Sequence, residues 1–358
     1  MLKNKYWTCT YFLSTICLLL CSNMVFAQKI GGQGIYKFLW NPSSARITAL
    51  GGNCIATRDD DAVLAIQNPS LLNEAGSENI SFNHRFYYAG LQDGCFTYAH
   101  TYAPWKTNFH AAAQYASYGE FTQANEYGAI TGNFKAADYA FILGASHNLY
   151  ENLSLGVNLK YISSRLENYG STGIATDFGA TYFNPEKNIT FTMLFRNVGT
   201  QLSNYYETKE NLPYELQLGM SKRLKHLPFR FSIIYANFQR WNVLYDDPNQ
   251  VDDAVLIGDN TSTKQSSTSL YFDNLFRHFI FNGEFYIGKK ENFRLRLGYN
   301  HQLKKELSVA NYRSLAGFSG GFGFKINRFR LDYGTAVYHL VGRTHHLSLS
   351  TNINSFRK

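Results

Sequence analysis

The sequence predicts an all-β chain: an antiparallel transmembrane outer-membrane β-barrel of about fourteen strands with an N-terminal plug or hatch. Three observations predict it. Fourteen segments beyond residue 77 have strand character, several with strict two-residue alternation of apolar and polar side chains. The connections between them alternate between short and long. The chain also holds 28 Phe and 26 Tyr against 7 Pro, a bias that suits strands and argues against a helical bundle. With 45% hydrophobic and 17% charged residues, it lies outside the disordered class.

Residues 1–27 read as a signal peptide. Lys3 and Lys5 precede an apolar stretch over 7–20, and Val25-Phe26-Ala27 places a cleavage site after Ala27. A lipidated Cys21 is disfavoured by Leu20, which stands where a small residue is expected. Cleavage removes Cys9, Cys17 and Cys21 and leaves Cys54 and Cys95. Two readings of this pair stand: a disulfide in an oxidising compartment, or two buried side chains acting as small apolar groups. Loss of Lys3 and Lys5 takes the net charge from +8 to +6, too diffuse for a nucleic-acid patch. No nucleic-acid partner and no cofactor is expected.

Residues 28–76 lack strand alternation and form the expected hatch. The stretch is rich in Gly (Gly31, Gly32, Gly34, Gly51, Gly52), and Asn68-Pro69-Ser70-Leu71-Leu72 reads as a turn opening a short helical element. A lumen bounded by fourteen strands is wider than wall side chains fill, so it has room for such a segment.

Residues 77–358 form the expected barrel, with strands at 78–88, 91–103, 106–118, 137–148, 153–167, 172–183, 188–197, 213–223, 228–238, 276–288, 291–302, 315–326, 328–339 and 344–355. The fifth is the clearest, reading Leu-Ser-Leu-Gly-Val-Asn-Leu-Lys-Tyr from Leu153. Ser154, Asn158 and Lys160 share one face, and Leu155, Val157 and Leu159 the other. In a soluble sandwich the apolar face is the core, whereas in a membrane barrel it meets lipid. Connection lengths separate these readings. The even-ranked connections (104–105, 149–152, 184–187, 224–227, 289–290 and 327) are tight, while 119–136, 198–212, 239–275 and 303–314 are long. Short periplasmic turns alternating with long external loops mark an outer-membrane barrel, although the first and last external turns here are also short.

Catalytic and metal readings find little support. Gly317-Phe318-Ser319-Gly320-Gly321 matches a nucleophile elbow, with Asp332 and His339 following in hydrolase order. That elbow needs a strand, a sharp turn and a helix, whereas Phe318, Phe322 and Phe324 continue a strand pattern. No enzyme activity is expected. His345-His346 sets neighbours on opposite strand faces, which is poor geometry for one ion. Asp246, Asp247, Asp252, Asp253 and Asp259 fall in the longest connection but lack the Gly and terminal Glu of a calcium loop. They read as a solvated loop or a partner-docking surface.

Ser43-Ser44-Ala45-Arg46-Ile47-Thr48-Ala49-Leu50-Gly51-Gly52, followed by Asp59-Asp60-Asp61-Ala62 and Gln67-Asn68-Pro69-Ser70-Leu71-Leu72, resembles the hatch of the PorV/PorQ family of outer-membrane proteins. These are relatives of the long-chain fatty-acid transporter barrels. Gly34-Ile35-Tyr36-Lys37-Phe38-Leu39, Gly173 with Asp177-Phe178-Gly179, Leu275-Phe276-Arg277-His278 and Leu297-Gly298-Tyr299-Asn300-His301 extend the resemblance over the mature chain. Ser70 departs from it where Ala is more usual, as does the ending Phe356-Arg357-Lys358. The resemblance implies a hatch motif of Ser44, Ala45, Arg46, Gly51, Gly52, Asn68, Pro69 and Leu72. It also implies a role as an outer-membrane anchor in the type IX secretion attachment complex. The implied partners are a PorZ-like surface protein, a PorU-like sortase and a PorV-like barrel, set among outer-membrane lipid and anionic lipopolysaccharide. The wider relatives allow an alternative, a channel for fatty acids or other hydrophobic solutes.

Overall fold

The computed structural model describes residues 34–244, 267–307, 315–339 and 342–357. The expected signal peptide and Asp246, Asp247, Asp252, Asp253 and Asp259 lie outside the described residues. Fourteen strands follow one another: β1 Asn79–Phe86, β2 Gln92–Tyr102, β3 Thr107–Ala124, β4 Ile130–Tyr150, β5 Leu153–Leu166, β6 Tyr169–Asn184 and β7 Ile189–Ser203. Then come β8 Glu215–Arg223, β9 Phe229–Tyr235, β10 Phe279–Ile287, β11 Phe293–Asn300, β12 Phe318–Ile326, β13 Phe329–His339 and β14 Gly342–Asn352. Every strand pairs antiparallel with its sequence neighbours, and β1 pairs with β14 to close the barrel. Closure matters because an open edge would present unpaired backbone groups to lipid.

The barrel is inverted relative to a soluble protein. On β5, Ser154, Asn158 and Lys160 are buried and point inward, while Leu155, Val157 and Leu159 are exposed, as the alternation requires. Around the wall, Phe141, Leu143, Phe178, Met193, Leu297 and Leu347 are exposed, while Arg85, Asp177, Glu284 and Arg296 are buried. Charge inside and large apolar groups outside exclude the sandwich.

The long connections differ from expectation in content. β3 and β4 run on as a hairpin through most of 119–136, with register shifts after Ser117 and Gln123. Both faces of that extension are largely exposed, so no buried side imposes the alternation that marks a strand. β7 likewise continues to Ser203. Residues 267–277 form a helix, and Phe276 belongs to it rather than to the start of β10. A second short helix covers His301–Glu306, where the Asn300 side chain accepts the Leu303 N–H at 3.1 Å. Ser319 lies within β12, a strand in which no elbow forms; its hydroxyl donates to Ala49 O (2.9 Å) and accepts from Gly51 N–H (2.8 Å).

Candidate functional site: the occupied lumen

Residues 34–77 pack against the inward faces of the strands. They contain helices α1 Ala45–Ala49 and α2 Leu64–Gln67 and tight 3-10 turns at Lys37–Trp40, Pro69–Leu71 and Glu74–Gly76. The later helices, Ser267–Arg277 and His301–Glu306, are α3 and α4.

α1 begins where Ser44, in extended backbone, accepts the Ile47 N–H at 3.3 Å. The freed Ala45 N–H donates to Ser348 Oγ of β14 at 2.8 Å. The helix lies almost on the wall backbone, and inward-facing glycines make the space. A Cβ added to Gly334 would fall 2.1 Å from Ala45 O, and one on Gly298 would fall 2.1 Å from Gly51 N. Gly51 and Gly52 leave the helix with φ of +73° and +84°, a conformation that favours glycine.

Arg46 projects from α1 into a buried ionic network near the short-turn end of the barrel. It reaches Asp59 (2.7 Å), Asp61 (3.1 Å) and Glu284 of β10 (2.9 Å). Arg230 of β9 approaches Asp59 (3.0 Å) and Glu284 (3.5 Å), and Arg296 of β11 pairs with Glu284 (2.8 Å) and Asp332 (2.5 Å). Arg330 of β13 holds Asp60 at 2.6 Å, with Arg294 at 4.0 Å. Five guanidinium groups thus face five carboxylates, so the formal charges of this network balance. Burial opposes ionisation of Asp59, yet Arg46 and Arg230 hold its carboxyl well below the usual range. Asp61 goes the other way: burial lifts it above the usual range against the pull of Arg46.

Across the lumen, the turn at Asn68 meets β5 and β6. Asn68 Nδ2 donates to Ile55 O (2.8 Å), and its Oδ1 accepts from Ser70 N–H (3.1 Å) and Ser70 Oγ (2.7 Å). Pro69 starts the 3-10 turn, where its missing N–H costs nothing. Ser70 Oγ lies 2.7 Å from Thr181 Oγ1. Here too the wall is glycine, since a Cβ on Gly156 would meet Ser70 N at 2.3 Å. Leu72 is buried with Ala62, Ala65 and Ala99. Asn158 Nδ2 donates to Ala65 O (2.9 Å) and Asp177 (3.0 Å), and Asp177 pairs with Lys160 at 2.7 Å. Nearer Gly34, Ile35, Phe38 and Leu39 pack with inward-facing Ala112, Ala140, Ile142, Ile162 and Ala175.

The motif residues therefore fall into two groups, Ser44 to Gly52 against β11–β14 and Asn68 to Leu72 against the opposite wall. Cys54 and Cys95 are both buried free thiols, which removes the disulfide reading. Cys54 sits among Ile47, Leu50, Leu64 and Leu71, and Cys95 Sγ donates to Ser43 O at 3.0 Å. The wall partners Arg230, Glu284, Arg294, Arg296, Arg330 and Asp332 were not singled out from the sequence as an ionic site. Their signal is Phe293-Arg294-Leu295-Arg296-Leu297, where charges at alternate positions of a barrel strand must face the lumen.

No family model and no curated protein sequence matches the chain. Among solved structures, a deltaS2 mutant of the TodX monoaromatic hydrocarbon channel aligns with TM-score 0.51 at 11% identity, over 87% of this chain and 97% of that one. The chain is similar in fold to outer-membrane channel barrels. A deltaS2S3 TodX mutant gives TM-score 0.50 at 12% identity, over 87% of this chain and 99% of that one. A Pseudomonas aeruginosa FadL homologue gives 0.49 at 8% identity, over 87% of this chain and 98% of that one. At such identities the likeness concerns architecture, that of an outer-membrane barrel.

Proposed function

We propose that this barrel is a closed outer-membrane anchor rather than a conduit, and that it serves a PorQ-like role in a type IX secretion attachment complex. In this reading it holds a PorZ-like surface protein and stands beside a PorU-like sortase and a PorV-like barrel. The PorV/PorQ resemblance of the 43–52 and 67–72 motifs supplies the partners. One observation carries the preference for an anchor: an apolar solute crossing the lumen would have to part Arg46 from Asp59, Asp61 and Glu284, leaving buried charge unpaired. A barrel is also a firm base, because leaving the bilayer would expose its backbone edges.

The second reading, a channel for hydrophobic solutes, draws on the fold likeness to hydrocarbon channels and on the apolar surroundings of Ile35, Phe38 and Leu39. Affinity purification from detergent-solubilised outer membrane separates the two. Co-purification of sortase-complex members, with release of surface partner and cargo to the medium in a deletion strain, supports the anchor. Unchanged partner retention with lost uptake of a hydrophobic solute sinks it and promotes the channel.

A further inference from the structure

We infer that α3, the helix Ser267–Arg277 in the β9–β10 connection, is an interfacial helix seated in the outer leaflet, with Phe272 and Phe276 immersed at the boundary of headgroups and acyl chains. Its polarity is inverted. Asn274 is buried, donating to Trp241 O at 2.7 Å and accepting from Val243 N–H at 3.1 Å. Asp273 faces its own neighbours, Arg277 at 2.9 Å and Lys305 of α4 at 2.9 Å. The large side chains left outward are Leu270, Tyr271, Phe272 and Phe276, beyond the exposed Thr268 and Ser269 of the first turn, with Phe272 52% and Phe276 48% exposed. Polar groups inside and aromatic groups outside repeat the arrangement of the barrel wall, which suits lipid and not water.

Continuity with that wall identifies the occupant. Outward-facing Phe279 and Phe281 of β10 stack at 6.0 Å, and Phe279 meets Tyr235 of β9 edge-on at 5.2 Å. The ladder then climbs off the strand: Phe276 lies 6.4 Å from Phe279. Phe272 and Phe276, four residues apart, stand on one side of the helix. Tyr271 packs against Trp241 at 5.2 Å, giving two rings with apolar bodies and polar tips of the kind that mark membrane interfaces. The connection leaves the end opposite the short turns, so this interface is that of the outer leaflet. The inference is independent of whether the barrel anchors a complex or conducts a solute.

The test attaches an environment-sensitive fluorophore at Phe272→Cys or Phe276→Cys in the full barrel, reconstituted into phospholipid vesicles, where the buried Cys54 and Cys95 thiols stay unlabelled. The probes are nitroxide-bearing lipids and aqueous iodide. Leu297→Cys on the lipid face and Tyr127→Cys at the β3–β4 tip serve as references. Both α3 labels should be quenched by shallow lipid nitroxides to within about twofold of the Leu297 label, and shielded from iodide relative to the Tyr127 label. Iodide quenching equal to that at Tyr127 overturns the inference. Shielding from both quenchers also overturns it, because protein rather than lipid would then cover the face. A Leu270→Cys label, leaving both Phe side chains in place, guards against loss of the helix in the Phe variants and must give the same pattern.

Discussion

Replacing Arg46 with Ala removes the cation that touches three carboxylates at once, and the three are affected unequally. Asp59 keeps Arg230 at 3.0 Å, and Glu284 keeps Arg296 at 2.8 Å. Asp61 loses its ion pair, formed at 3.1 Å with Arg46. It must then stay largely buried without a cation, or take up a proton. Protonation at pH 7 from an ordinary value near 3.9 costs about 4 kcal/mol at 1.36 kcal/mol per pH unit, which caps the penalty. Breaking a buried pair costs about 3–5 kcal/mol, so the lumenal segment should loosen by about 3–4 kcal/mol, or roughly 10²–10³-fold in its opening equilibrium. Cys54 is a built-in reporter of that opening, since it is buried in the segment and burial pushes its thiol up to about 11. In a Cys95→Ala background, native-state thiol labelling of Cys54 should accelerate by that factor in Arg46→Ala. Adding Asp61→Asn should recover most of the loss, because it removes the orphaned charge. Acceleration below about threefold, under 1 kcal/mol, or no recovery in the double variant, would refute the claim that this cation seats the segment.

Four further outcomes are expected. Val157→Arg on the lipid face should cost about 2–4 kcal/mol near the midplane. Lys160→Leu on the lumen face should cost about 3–5 kcal/mol by stranding Asp177, and should be rescued by Asp177→Leu where Val157→Arg is not; folding titrations of the four variants check both. Single cysteines at Glu126 and Glu186, in a background without Cys54 and Cys95, should differ on intact cells, with only the first reacting with an impermeant reagent; the reverse would invert the topology. Burial would raise the Asp273 carboxyl, but hydrogen bonds from Lys305, Arg277 and His301 bring it down to about 2. A depressed folded-state value contributes stability that is complete above the unfolded value near 3.9 and lost as pH falls through the folded one. Hydrogen exchange corrected for intrinsic rates should therefore show α3 protection flat from neutral pH to about 4 and falling towards 2, with the profile flattened in Asp273→Asn.

What the sequence disclosed follows from which residues had one buried face. β5 was legible residue by residue because Ser154, Asn158 and Lys160 alternate with Leu155, Val157 and Leu159. The extended β3–β4 hairpin was not, because Phe121, Tyr127 and Ile130 stand in the open with nothing to impose a period. α3 was hidden for a related reason: Leu270, Tyr271, Phe272 and Phe276 face outward, so Phe276 looked like the start of the next strand. The lumenal site was half legible. The small residues and Arg46 stood out as a motif, but their counterparts Gly156, Gly298 and Gly334 are single wall positions far off in sequence. Their meaning appears only when the segment lies against them.

The pairing of small motif residues with wall glycines and of Arg46 with the wall carboxylate Glu284 also explains how the segment finds one seat. Van der Waals contact alone would tolerate a slide along the lumen, since apolar groups are largely interchangeable neighbours. A shift of α1 by one turn, about 5 Å, would take Ala45 off Gly334 and the Ala45 N–H off Ser348 Oγ. It would also draw Arg46 away from Glu284 of the wall. Each mismatch costs more than the correct contact contributes, because an orphaned buried charge carries the full desolvation penalty, whereas a satisfied pair roughly breaks even. The balanced network therefore acts mainly by excluding other seatings, and its single-residue variants should loosen the segment far more than the modest net value of any one ion pair suggests.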